Sequence, residues 1–301
     1  MTQETHSRRC ALIRNGPLWL TISAMLFAVM AVSVRMAGQH GIAGSETTLV
    51  RFVFGLVAIA ALHSSGVTKV RLRRIPLLAS RGIIGGIAIV LYFISLSAAK
   101  GPGATSLTNS SFLGNSYFIY TPIFGALLIK ERLRVSTVFM VFLAFLGLYL
   151  IVQPDYSHIR AGDVYGFLAG ITSAVAIVII RELRKTEAAI SIFLSLCVFG
   201  AVVALLTMAV EKPVWPGTAG WWILTAMGIS GAVGQLLMTY ALKFTRAGEG
   251  GIIEMTTVVY TSAAGILWLG DPFNWQILLG ALLVLASGAC VSVSEAAAPQ
   301  L

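Results

Sequence analysis

Two charged side chains sit inside stretches that are otherwise apolar, and they are the first candidates for chemistry. Glu254 lies five residues into the stretch that begins at Glu249. A carboxylate there could hold a substrate ammonium or a coupling proton; the structural alternatives are snorkelling to water and pairing with Lys243 or Arg246. Arg51 lies at a similar depth in the stretch that begins at Ser45, where it could hold an anionic group or be neutralised by Glu46 as a structural pair or outer gate. Each such charge costs about 2.5 to 3.5 kcal/mol to place at the centre of a membrane helix, so it needs a reason to be there.

Polar uncharged residues recur around them at helical spacing. Thr108, Ser111 and Asn115 share one face, and Glu254, Thr257 and Thr261 share another. Tyr92 and Ser95 in the third apolar stretch and Gln235 and Thr239 in the eighth complete the set. The candidate substrate-binding residues are therefore Tyr92, Ser95, Thr108, Ser111, Asn115, Gln235, Thr239, Glu254 and Thr257, around a cavity lined by spans three, four, eight and nine. The alternative is that these groups bond across packed helices. Glu131 and Asp271, at span ends, read as caps or loop locks.

Catalytic and metal chemistry find no comparable signal. The sequence contains no HExxH, GxSxG or P-loop motif and no carboxylate-rich metal motif. Cys10, Cys197 and Cys290 have no CxxC or Cys/His spacing, so neither a disulfide framework nor a zinc site is expected. His6, His40, His63 and His158 lie in or beside predicted loops and read as solvated. The expectation is a protein that is not an enzyme and carries no cofactor or metal.

The elements that position these residues follow from composition. Of 301 residues, 57% are apolar and 11% charged, against about 25% charged in soluble domains. That predicts an all-α polytopic membrane protein. A bilayer core of about 30 Å needs about 20 apolar helical residues. Ten stretches qualify: Pro17 to Met36, Ser45 to Ser64, Leu77 to Ala98, Gly103 to Leu128, Val135 to Val152, Gly162 to Arg181, Ala189 to Ala209, Ala219 to Leu242, Glu249 to Leu269 and Asn274 to Val293. The first is longer than a signal-peptide core of about 7 to 15 residues, so it reads as a span.

The net charge of +9 could suggest nucleic acid in a soluble chain. Here its distribution argues otherwise, because 16 of the 21 Lys and Arg fall on the side of the termini. The positive-inside rule then predicts a multi-pass protein of the cytoplasmic (inner) membrane with both termini cytoplasmic, whose partners are the lipid bilayer and a small-molecule substrate, with no nucleic acid. Trp215, Trp221, Trp222, Trp268 and Trp275 fall at predicted outer ends, where indoles favour the headgroups. Oligomeric state leaves no mark in the sequence.

The halves repeat. Val53-Phe54-Gly55 recurs as Val198-Phe199-Gly200, Ala98-Ala99-Lys100 aligns with Ala241-Leu242-Lys243, and Glu131 falls opposite Asp271. The same alignment sets Tyr92 opposite Gln235 and Ser111 opposite Glu254. Five spans per half is an odd number, so repeats over 17–152 and 162–293 cross the membrane in opposite senses, the inverted architecture of many secondary transporters.

With these residues laid out, the chain resembles the ten-helix EamA-type carriers of the drug/metabolite transporter superfamily. The motifs are Glu46 with Arg51-Phe52, Lys130-Glu131-Arg132-Leu133, Gly162-Asp163, Tyr240-Ala241-Leu242-Lys243, Ala247-Gly248-Glu249 and Gly270-Asp271. It departs from the family where a proline often stands midway along spans four and nine: the aligned positions here are about Asn115 and Val258, with Pro122 lying about two turns later. Asp271-Pro272 also replaces the usual Glu-Arg. The resemblance selects no substrate. Alternating access around one central site is expected, with export as the expected direction. Amino acids or related zwitterions are the expected cargo, because the candidate residues combine one carboxylate, several hydroxyls and amides and an aromatic among apolar walls. Vitamins, nucleotide-like metabolites or drugs, moved either way, are the alternatives within transport; a membrane-embedded enzyme or a channel is the alternative outside it.

Overall fold

The structure is a computed structural model that describes residues 15–66, 70–97, 110, 113–153, 160–209, 216–268 and 273–297. The described elements are all helical: α1 (Gly16–Gln39), α2 (Gly44–Ser64), α3 (Ile75–Ser97), α4 (Tyr117–Ile129), α5 (Val135–Val152), α6 (Ala161–Leu183), α7 (Ala189–Met208), α8 (Thr218–Ala241), α9 (Ala247–Glu254), α10 (Thr256–Trp268) and α11 (Trp275–Ala297). Seven described helices are long and apolar enough to cross a membrane, with α9 and α10 together making one of them. Three shorter apolar helices, Leu113–Ile129, Val135–Ile151 and Trp275–Val291, complete the ten-span arrangement.

Helix ends follow local chemistry. Asn15 caps α1, its side-chain oxygen accepting from the Leu18 amide at 3.2 Å, and Pro17 stands in the first turn, where a missing N–H costs nothing. Asp163 in the first turn of α6 accepts from the Arg160 amide at 2.9 Å. Lys130 and Gln153 close α4 and α5 in the left-handed region, at φ 56° and 44°.

The packing has a two-fold character. α1 lies against α8 as α3 lies against α6; α3 packs on α7 as α2 packs on α8; α4 packs on α6 as α9 and α10 pack on α1. α2 with α7, and α5 with α11, pair with each other. Exchanging the halves helix for helix maps each of these contacts onto another or, for the last two pairs, onto itself, a pairing that suits two five-helix repeats. Ser23 Oγ donates to the Gly234 carbonyl at 2.9 Å across α1 and α8, and Ser95 Oγ to the Gly162 carbonyl at 2.8 Å across the equivalent pair α3 and α6.

Spans four and nine each tighten at one residue: the fourth at Ser116, whose hydroxyl donates to the Leu113 carbonyl at 2.6 Å, and the ninth at Met255, where the Thr256 hydroxyl donates to the Ile253 carbonyl at 2.8 Å. In each case a side chain competes for a backbone acceptor and the amide bonding shortens to i→i−3: Ile119 to Ser116 at 3.0 Å and Val258 to Met255 at 3.0 Å. Hydroxyl back-bonding accompanies both tightened turns, as it does at Thr239 within an unbroken helix.

Candidate substrate site

The two tightened turns matter because of what stands beside them. A cavity of about 120 Å³ lies between the halves. Tyr92 from α3, Asn115 just before α4, Gln235 from α8 and Thr257 from α10 all line it, so four of the nine expected residues meet in one place. Asn115 Nδ2 donates to the Tyr92 hydroxyl at 3.3 Å. Gly114 makes the ring's room, since a Cβ there would overlap the Tyr92 ring. The lining is wider than expected: Phe27, Met30 and Ala31 of α1, Arg51 of α2 and Ser173, Ala176 and Ile177 of α6 also contribute.

The other expected residues do different work. Ser95 is buried at the α3–α6 contact, its hydroxyl spent on Gly162 and its carbonyl accepting from Ser110 Oγ at 2.9 Å. Thr239 donates to the Gln235 carbonyl of its own helix at 2.7 Å. Glu254 closes α9 and is 2% exposed, which rules out snorkelling. It makes no ion pair with Lys243 or Arg246, and among the described residues neither carboxylate oxygen meets a donor in hydrogen-bonding geometry. Ser23 is its polar neighbour, but that hydroxyl proton goes to Gly234. Tyr117, which lines the cavity, lies close enough to Glu254 to interact with it electrostatically. Thr108, Ser111 and Asp271 lie outside the described residues.

Arg51 does not pair with Glu46 as a gate. It is 5% exposed, donates from Nη2 to Gln235 Oε1 at 3.1 Å, and lies between the Phe27 and Phe93 rings at 5.7 and 5.6 Å. Cation–π contact replaces part of the hydration lost on burial. Arg81 was missed. Counted with the basic residues flanking the Lys/Arg-rich loops, it instead lies about a turn and a half inside α3, 3% exposed and on the cavity wall. Its place in an apolar run from Leu77 onward was the available signal, the same one that marked Glu254. Gly85 provides the room into which the Arg81 guanidinium folds.

At the Lys/Arg-rich end the halves are tied together. Arg74 pairs with Glu182 at 3.2 Å, Arg181 with Glu131 at 3.2 Å and Arg134 with Glu249 at 3.7 Å, and each pair joins one half to the other. Arg181 also donates to the Leu242 and Lys243 carbonyls at 3.0 and 2.7 Å, and Glu187 accepts from the Arg73 and Arg74 amides at 2.8 Å. Glu131 is thus a lock between halves and not a cap within one. Arg184, just beyond α6, donates to the Glu187 carbonyl at 2.6 Å, and its burial lowers the guanidinium below its ordinary range. At the opposite end Gln153 Nε2 donates to Asn274 Oδ1 at 3.4 Å.

Comparison with known proteins follows the same two-part division. The profile of the EamA-like transporter family matches the chain twice, over residues 14–153 and 160–293. The pseudopaline exporter CntI of Pseudomonas aeruginosa is 25% identical over 286 residues, covering 94% of this chain and 97% of that protein. Human solute carrier family 35 member G1 is 26% identical over 310 residues, covering 93% of this chain and 79% of the relative. A solved crystal structure superposes with a TM-score of 0.75 at 18% identity, covering 93% of this chain and 96% of the other, a likeness of fold alone.

Proposed function

The chain belongs to the EamA-like transporter family, a multi-pass membrane transporter and not an enzyme, and from that premise we propose that it is a secondary carrier working by alternating access. Its cargo on this reading is a small metabolite, foremost an amino acid or related zwitterion, and the direction is export across the cytoplasmic membrane with both termini cytoplasmic. One observation carries the proposal: a largely apolar cavity between two inverted halves, into which Tyr92, Asn115, Gln235 and Thr257 set polar groups beside the tightened turns at Ser116 and Met255. Polar side chains set into an apolar cavity give a solute its orienting contacts, and inverted halves can exchange conformations to open the same site to either face. The units that exchange are 17–152 and 162–293.

The ties at the Lys/Arg-rich end support a conformation closed toward the cytosol, and their breakage is the step that would admit cytosolic cargo. The exporter named among the relatives supports the direction. Tyr92, Asn115, Gln235 and Thr257 contact the cargo in this scheme, with Glu254 near Tyr117 available to an ammonium. The test is transport in vesicles by Asn115→Ala and Glu254→Gln, each expected to slow the initial rate at least tenfold, or about 1.4 kcal/mol. Unchanged rates in both would put the site elsewhere.

A further inference from the structure

The polar lining of the cavity is one-sided. Its ionised groups are Arg51 and Arg81, with no carboxylate among the lining residues, since Glu254 stands outside that wall. Arg51 is close enough to Arg81 for the two cations to repel. Among the described residues no carboxylate lies within ion-pair distance of either.

The hydrogen-bond inventory points the same way. Arg81 Nε and Nη1 and Gln235 Nε2 are buried without an acceptor. All three are donors. The orientation of the Gln235 amide is set by Arg51, which takes its oxygen at 3.1 Å and leaves its NH2 directed elsewhere. Arg81 and Gln235 are each 3% exposed, so bulk water is not the general solution to their unmet donors. A guanidinium and an amide NH2 lining one cavity match an oxyanion, which accepts several hydrogen bonds and neutralises the like charges at once. Neither an ammonium nor a guanidinium offers an acceptor to these groups.

We propose that the cargo is a small organic anion of net negative charge, whose carboxylate or phosphate oxygens accept from Arg81 and Gln235 while Arg51 supplies the second positive charge. The inference rests on the carrier reading and replaces the net-neutral zwitterion, as its foremost cargo, with a solute of net negative charge. Phe27, Met30 and Ile177 give the rest of the solute an apolar wall, so the carbon skeleton need not be polar.

The test is thermal unfolding of the purified full-length protein in detergent, titrated with succinate, glycerol 3-phosphate, glutamate, leucine or agmatine. At least one of the three anions is expected to raise the Tm saturably, and leucine and agmatine are not. Which anion acts separates carboxylate from phosphate recognition, and glutamate against succinate reports whether an ammonium adds affinity. Arg81→Gln should weaken the effective anion at least tenfold, about 1.4 kcal/mol, while its ligand-free Tm should not fall, because the change removes a buried charge that has no protein partner. Arg81→Lys keeps the charge but not the fork; it should bind the anion between the other two, and it serves if the glutamine variant does not fold. Stabilisation by leucine or agmatine instead of the anions, no stabilisation by any of the five, or equal anion affinity in wild type and both variants would overturn the inference. Counterflow of any other solute would still support a carrier in those cases, so the two readings fail separately.

Discussion

Gly86→Ala places one methyl group where α3 crosses α7. The added Cβ would lie 2.7 Å from the Gly200 Cα, whereas nonbonded carbons settle at about 3.5 to 4.0 Å. The two helices must then part by about 1 Å, because the neighbour is backbone and cannot rotate away. Overpacking of this kind costs about 1 to 3 kcal/mol, against about 1 kcal/mol gained when alanine replaces glycine in a helix. Gly288→Ala is the matched control: its new methyl would meet Thr256 Cγ2 at 3.5 Å, an ordinary contact. The propensity gain cancels between the two variants, so Gly86→Ala should be less stable than Gly288→Ala by about 1 to 3 kcal/mol. Thermal unfolding of both in one detergent reads the difference. α3 also carries Arg81 and Tyr92, so a shift of about 1 Å should slow transport as well. A Gly86→Ala protein that melts at or above Gly288→Ala would refute the close crossing and the position of α3 with it.

Three further perturbations probe the site and its closure. Replacing both Glu131 and Glu249 with glutamine removes two ties between halves; labelling of a single cysteine introduced at Thr257 by a reagent added from the Lys/Arg-rich side should speed up, and an unchanged rate would mean those ion pairs do not hold that end shut. Gln235→Leu strips Arg51 of its described hydrogen bond and should destabilise the protein by about 1 to 3 kcal/mol in thermal unfolding, while a loss under about 0.5 kcal/mol would assign Arg51's stability to the aromatic rings alone. Tyr92→Phe removes the acceptor for Asn115 and should cost about 1 kcal/mol of stability; a larger loss would mean that the hydroxyl holds more than Asn115.

Much of this architecture was legible because two signals operate over long windows. Apolar length and the sorting of basic residues locate spans without reference to tertiary structure, and the repeat could be read from Val53-Phe54-Gly55 and its counterpart. What escaped was local. The shortened amide bonds at Ser116 and Met255 leave no mark in residue type, since the hydroxyl back-bonding beside them also occurs at Thr239 inside a regular helix. Arg81 was absorbed by the same basic-residue sorting from which the orientation is predicted, since an arginine near a span end satisfies that rule whether it points to water or to the interior. Arg51 illustrates the limit of neighbourhood: Glu46 is five residues away, yet the observed partner is Gln235, 184 residues away. Tyr92, Asn115, Gln235 and Thr257, which line the cavity, were legible as candidates because their polarity interrupts apolar helix faces in both halves.

The central claim is transport through this cavity, and the most direct measurement is counterflow in proteoliposomes of the purified protein, with a labelled panel of amino acids, dicarboxylates and phosphorylated solutes. The account predicts saturable accumulation of label driven by unlabelled solute trapped inside, reduced at least tenfold, about 1.4 kcal/mol, in Asn115→Ala. A folded protein that passes solute without saturation or counterflow would contradict it and describe a channel.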